Sequence, residues 1–287
     1  MVELEELPLQ SALADALGRP PRAGSVAVDW LGQAGFAIRG GGRLLIIDPY
    51  LSDSLAEKYR GKELPHARLV PSPLAPEAAR GVDAVLCTHK HTDHMDPGTL
   101  PAIARSNPGC LFVAPRAEKA HAVSIGVPEL RLRTIDAGET LRPVEGVQVE
   151  AIPAAHEELA RNNTGEMLHL GYIVTVGGIR LYHSGDCIPY DGLEETLRAS
   201  AIDVALLPVN GRSKSLTSRG IIGNFHLEEA IQICRSAGIR ILFCHHWGLF
   251  DFNTIDPQRA LEKIRELAGP VRCIMPRVGV SYLVRKT

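Results

Sequence analysis

Six consecutive residues, His89-Lys90-His91-Thr92-Asp93-His94, hold three imidazoles and a carboxylate directly after the apolar run Val82-Asp83-Ala84-Val85-Leu86-Cys87. Zinc, manganese and iron are bound by neutral imidazoles and carboxylates that converge from several directions. His89 and His91, two apart at the end of a strand, can point into one site. Asp93 and His94 follow after the chain turns and can face a second metal. A polar surface loop is the bland alternative, and so dense a set of ligands behind an apolar strand argues against it. Further ligands are expected at other strand ends: His156 after Val149–Ala155, Asp186 after Leu181–Gly185, and His245 or His246 after Ile241–Cys244. Each alone reads as a satisfied loop residue; their joint occurrence gives the reading its weight.

The elements that must position these residues are legible from pattern. Residues 1–24 read as a helical lead-in over Leu7–Leu17, ended by Gly18-Arg19-Pro20-Pro21. Val26–Leu31, Gly35–Arg39 and Arg43–Asp48 read as an antiparallel meander with glycine turns. Residues 51–80 are proline-rich without a clear period and predict a loop with short helices. Val82–Cys87 predicts the strand that delivers the histidine run. Asp96-Pro97 then predicts an N-cap followed by proline, opening a helix through Ala104. Strands are predicted at 111–113, 148–152, 170–176, 179–184, 204–207 and 239–245, and helices at 193–199, 227–237 and 257–267. With no repeat or linker, residues 1–287 read as one α/β domain of two sheets with outer helices.

The His-x-His-x-Asp-His run, the isolated His156, the Ser184-Gly185-Asp186 turn and the late strand-end histidine resemble, in order, the metal motifs of the metallo-β-lactamase superfamily. The resemblance spans roughly residues 26–282. It implies a four-layer αβ/βα sandwich with the site at one edge between the sheets. It further implies that His89, His91 and His156 hold one divalent ion, zinc or manganese. Asp93, His94 and the last histidine would hold a second, and Asp186 would bridge both. Of the two histidines, His246 is preferred, because His246-Trp247-Gly248-Leu249-Phe250 is similar to the His-aromatic-x-x-Phe pattern of close relatives. Strand alternation then turns His245 into packing or support of the ligands. Asp48 matches the superfamily's first motif, which implies that it accepts a hydrogen bond from a ligand histidine.

Such a pair of ions lowers the pKa of a bridging water, and the resulting hydroxide attacks an electrophilic carbon or phosphorus. Asp93, Asp186 and His246 are expected to carry that chemistry. In detail, Trp30–Phe36, Thr88–Asp96, Leu181–Asp186 and the His245-His246 pair resemble the L-ascorbate-6-phosphate lactonase group. That implies hydrolysis of a sugar-derived, phosphorylated lactone and a tendency to form homo-oligomers. An anionic substrate needs a clamp, and Asn210, Arg212, Lys214 and Arg219 are the candidates. The rival is a phosphodiesterase, since 246–250 and Leu227-Glu228-Glu229-Ala230 also resemble the N-acylphosphatidylethanolamine phospholipase D group. A non-catalytic metal-binding protein is the third reading. A net charge of -2 with a pI near 6.6 argues against a nucleic-acid partner. The Glu-rich start and the lack of a long apolar run predict neither signal peptide nor membrane span. The six scattered cysteines predict buried free thiols and a reducing, cytoplasmic setting.

Overall fold

A computed structural model describes residues 2–287. The described strands are, in chain order, Val2–Pro8 (β1), Ser25–Gly32 (β2), Gly35–Gly40 (β3), Arg43–Ile47 (β4), Ala84–Leu86 (β5), Leu111–Pro115 (β6), Leu132–Ile135 (β7), Thr140–Leu141 (β8), Val147–Pro153 (β9), Leu170–Val176 (β10), Ile179–His183 (β11), Val204–Pro208 (β12), Ile241–His245 (β13), Arg272–Ile274 (β14) and Val280–Lys286 (β15). They form one sheet in the order β1-β15-β2-β3-β4-β5-β6-β7 and a second in the order β14-β13-β12-β11-β10-β9-β8. The α-helices are Leu13–Leu17 (α1), Ser54–Lys58 (α2), Leu100–Ser106 (α3), Lys119–Ser124 (α4), Leu193–Ala199 (α5), Lys214–Thr217 (α6), Leu227–Ala237 (α7) and Pro257–Leu267 (α8).

Alternation along the strands sends side chains to two faces. Val26, Val28 and Phe36 of the first sheet meet Val149, Tyr172 and Val174 of the second in the core between them. The outer faces are apolar too, and helices cover them. Leu13, Leu100 and Ile103 lie against Ala37, Ile46 and Val85 on one side. Leu193, Leu227 and Ala260 lie against Ile173, Ala205 and Leu207 on the other. The result is the expected αβ/βα sandwich of four layers. The antiparallel meander β2-β3-β4 is present, and β4-β5-β6 and β11-β12-β13 run parallel. Parallel neighbours end on one edge, so the loops after β4, β5, β11, β12 and β13 meet there.

The three later helices have the bounds their sequence predicts, because each carries its own stop or start. Asp256 accepts from the backbone N–H groups of Gln258 and Arg259 ahead of Pro257. Glu229 accepts from the His226 N–H at 2.9 Å, and left-handed Gly238 ends α7. Asp96 does accept from the Gly98 N–H, but a further turn precedes the helix, which starts at Leu100.

The helical lead-in is corrected. Val2–Pro8 is a strand, antiparallel to β15 with Leu4 opposite Val284, and only Leu13–Leu17 is helical. β15 supplies the pairing from the far end of the chain, a partner that no local period reveals. The lead-in is anchored by Arg39 of β3. Its guanidinium donates to both carboxylate oxygens of Asp29, to the Ser281 hydroxyl and to the carbonyls of Ala16 and Arg19. Both charges are buried. All six cysteines are free thiols. No helix among the described residues is long and apolar enough to cross a membrane.

Removing one partner of a buried, hydrogen-bonded pair leaves an uncompensated charge. Asp29→Ala is therefore expected to lower stability by about 3 to 5 kcal/mol in urea unfolding, and a loss below about 1 kcal/mol contradicts this role for the pair.

Candidate metal centre

β5 lies between β4 and β6, and the backbone stays paired one residue beyond it through Cys87 N–H to Val113 O. The chain then turns, with the His94 and Met95 N–H groups donating to His91 O, which folds the histidine run back on itself. Asp48 at the end of β4 holds this turn. It accepts from the Thr88 N–H at 2.8 Å and the Thr88 hydroxyl at 2.6 Å, and His94 Nδ1 lies 2.7 Å from its Oδ2. A carboxylate only accepts here, so His94 carries its proton on Nδ1 and turns Nε2 into the site. Gly185 is required beside this turn: at φ 62° a Cβ would stand 2.8 Å from the Thr88 Cβ.

The side chains converge as two groups. His89, His91, His156 and Asp186 bring one donor atom each within 4.8 Å of one another, and Asp93, His94 and His246 do the same. Asp186 lies between them. Its Oδ1 is 3.3 Å from both His94 Nε2 and His246 Nε2, while its Oδ2 is 3.7 Å from His156 Nε2. Asp93 Oδ2 is 3.5 Å from His246 Nε2. His89 Nε2, His94 Nε2 and Asp186 Oδ1 are buried without a hydrogen-bond partner. Buried ligand atoms left without partners in the two groups, all imidazole or carboxylate, fit divalent ions of the zinc or manganese kind.

Electrostatics separates the two groups. Burial, reinforced by neighbouring His94 and His91, holds His89 well below the usual imidazole range. Burial also lowers His156 to about 3. For His94 and His246 burial acts in the same sense, but the surrounding carboxylates outweigh it. Asp186, Asp48 and Asp93 raise His94 well above its usual value, and Asp186 and Asp93 hold His246 at about 9. Conversely, burial would raise Asp93 and Asp186, but His94 and His246 keep both below the carboxylate range.

His246, the preferred candidate, points into the centre, and His245 does not. His245 is fully buried, stacked on His183 at 4.9 Å and edge-on to Phe36 at 5.6 Å. The turn is made by His246 itself, at φ 61°. Two more residues belong to the centre that the sequence reading did not single out. Gln33 Nε2 donates to Asp93 Oδ2 at 3.0 Å and lies 3.2 Å from His246 Nε2. Its carbonyl accepts from the His246 N–H and from Trp30 Nε1, and Trp30 stacks on Trp247 at 5.3 Å. The signal was its place in the Gly32-Gln33-Ala34-Gly35 hairpin. His169, just before β10, lies 5.1 Å from the His89 ring and 5.3 Å from the His156 ring, centroid to centroid.

Over the centre opens a cavity of about 290 Å³, with Asp93, Asp186 and His246 on its floor. The residues expected to clamp an anion are engaged elsewhere. Arg212 forks onto both oxygens of Glu229 at 2.6 Å, and Arg219 pairs with Glu63 at 2.6 Å. Asn210 sits in an amide chain between Asn224 and Asn253. Lys214 is exposed in α6 and does not line the cavity. Their loop does reach the cavity, through Gly220, Ile221 and Ile222 instead.

Residues 43–247 match the model of the beta-lactamase superfamily domain. The chain belongs to the beta-lactamase superfamily. It is 32% identical over 207 residues to a UPF0173 metal-dependent hydrolase of Cupriavidus taiwanensis, covering 67% of each chain. It is 26% identical over 265 residues to another from Aeropyrum pernix, covering 88% of this chain and 95% of that one. Among solved structures it is similar in fold to Igni18, a metallo hydrolase from Ignicoccus hospitalis, with TM-score 0.65, 19% identity and coverage of 92% and 99%. With its His and Asp cluster, the chain is a metal-dependent hydrolase of the superfamily. Gln33 lies outside the matched span, on the β2–β3 hairpin.

Two outcomes test the centre. Asp48→Asn keeps a side chain that tolerates φ 45° but loses an acceptor, so metal affinity should fall about 10- to 100-fold in a chelator competition, and wild-type affinity contradicts the Asp48–His94 link. Because ligand imidazoles must be neutral, metal uptake at pH 7 should release protons from His94 and from His246, whose pKa is about 9. Affinity should accordingly strengthen as pH rises toward about 9. Calorimetry in buffers of different ionisation enthalpy reads this, and buffer-independent heats contradict it.

Proposed function

We propose that this protein is a lactonase that opens a small, anionic, sugar-derived lactone with the help of two divalent ions, zinc or manganese. The observation that carries the reading is Asp186, one oxygen facing each ligand group, on the floor of a cavity of about 290 Å³. That volume lies near the lower end of small-molecule pockets. His89, His91 and His156 would hold one ion, Asp93, His94 and His246 the other, and Asp186 both. When bound, such ions polarise a carbonyl and lower the pKa of a water.

The chain's own residues handle the proton. Asp93 is the more open of the two carboxylates, with a side chain 16% exposed against 5% for Asp186. It is the group to accept a proton as water oxygen adds to the carbonyl carbon. When the ring carbon–oxygen bond breaks, the alkoxide takes that proton back and the acyl carbon becomes a carboxylic acid on the same ring-opened molecule, which then loses its proton to solvent. Gln33 Nε2 holds the Asp93 carboxylate in orientation. Trp247 and the stacked Trp30 fix the loop that presents His246.

The lipid phosphodiesterase reading finds less support. A lipid substrate would call for an apolar entry surface, and in the Leu7–Leu17 segment Leu13 and Leu17 are packed into the protein. Metal-loaded protein should hydrolyse sugar lactones faster than bis(p-nitrophenyl) phosphate, and the reverse order overturns the lactonase reading. Asp186→Ala and His91→Ala should each lower turnover by more than about 100-fold while the circular-dichroism melt stays cooperative.

A further inference from the structure

One wall of the cavity is cationic, and nothing in the ligand set uses it. Lys58, at the end of α2, Lys90, between two metal-ligand histidines, and His121 of α4 all line it. In the bend after β5, His89 and His91 face the ligand group while Lys90 stands on the rim, where half its side chain is exposed. Its ammonium is aimed by Glu118, which is 4% exposed. Glu118 Oε1 is buried without a hydrogen bond and lies 3.5 Å from Lys90 Nζ. Lys58 Nζ lies 3.4 Å from the Thr92 hydroxyl and 5.4 Å from the centroid of the Tyr59 ring. Burial, and then the two ammonium groups, hold His121 below its usual range, so it joins the wall as a neutral hydrogen-bond donor. The lining also holds apolar side chains, Ile221, Ile222 and Phe250.

We infer that Lys58, Lys90 and His121 form the site that selects substrates bearing an acidic group remote from the bond that breaks. The inference rests on the proposed reading of the cavity as a hydrolase's substrate pocket, and it moves the anion site from the Arg212–Arg219 loop to these three residues. Arg212 and Arg219 are already paired, whereas Lys58 makes no ion pair among the described residues and Lys90 shares only one carboxylate. The two ammonium groups and the imidazole N–H offer donors to one oxyanion, a carboxylate or a phosphate. The neutral part of the substrate then lies against Ile221, Ile222 and Phe250. Asp93 and Asp186, the carboxylates that line the same cavity, are engaged with the ligand histidines.

The test compares a neutral ester with two analogues carrying a carboxylate or a phosphate at the far end of the acyl chain, hydrolysed by metal-loaded protein. Wild type should prefer the acidic esters, and Lys58→Ala with Lys90→Ala should cut that preference in kcat/KM by about ten-fold or more, chiefly through KM. The carboxylate and phosphate arms tell which oxyanion the wall favours. Parallel losses on acidic and neutral esters, or no change in the ratio, overturn the inference. If wild type turns over none of these esters, the hydrolase reading has failed and the wall is read alone. Glutarate binding to metal-loaded protein by calorimetry should then weaken about ten-fold in the double variant, and equal binding overturns the site. Glu118→Gln, which keeps the shape and removes the charge that aims Lys90, should lower the acid-to-neutral ratio in the same direction.

Discussion

The carboxylate of Asp186 is buried between imidazoles on both sides, and that is the constraint around which the protein is organised. Its two oxygens face two different ligand groups. Five histidines and two aspartates share a region that is largely closed to water, where an unpaired charge is expensive. The carboxylates around them raise His94 and His246 above the usual imidazole range, so protons there balance part of the negative charge. Bound divalent ions would supply that positive charge in place of the protons. The same crowding explains why the low-pKa imidazoles, His89 and His156, are found opposite the high-pKa pair.

Such convergence requires strand ends that do not move. Parallel pairing of β4 with β5 and of β11 with β12 and β13 fixes the starting points of the loops. Asp48 then ties the end of β4 to the turn after β5, and Gln33 ties the β2–β3 hairpin to the loop after β13. Asp48, Gln33 and His246 all adopt left-handed backbone, at φ 45°, 49° and 61°. Non-glycine residues rarely accept that conformation, which costs about 1 to 3 kcal/mol each, and packing around the centre must over-determine it. The apolar core between the sheets and the two helical layers supply that rigidity.

Much of this was legible in the sequence because the signals are local. The histidine run follows its own apolar strand, and α5, α7 and α8 carry periodicity and end signals within themselves. Non-local features were hidden. Val2–Pro8 is a strand only because Val280–Lys286 pairs with it, and its alternating Glu and Leu also suit a helix. The cationic wall gathers Lys58, Lys90 and His121 from the end of α2, a ligand loop and α4, so no window of sequence contains it. Arg212 looked free because its partner Glu229 is seventeen residues away on another element. Gln33 falls within the Trp30–Phe36 motif, but its amide's reach to Asp93 depends on a hairpin bent by left-handed backbone.

The central claim is that one carboxylate joins two ligand groups into a single two-ion centre. Anomalous diffraction from crystals of metal-loaded protein tests it most directly. The expected result is two peaks, one beside His89, His91 and His156 and one beside Asp93, His94 and His246, with Asp186 between them. A single peak, or two peaks with Asp186 touching only one, contradicts the account.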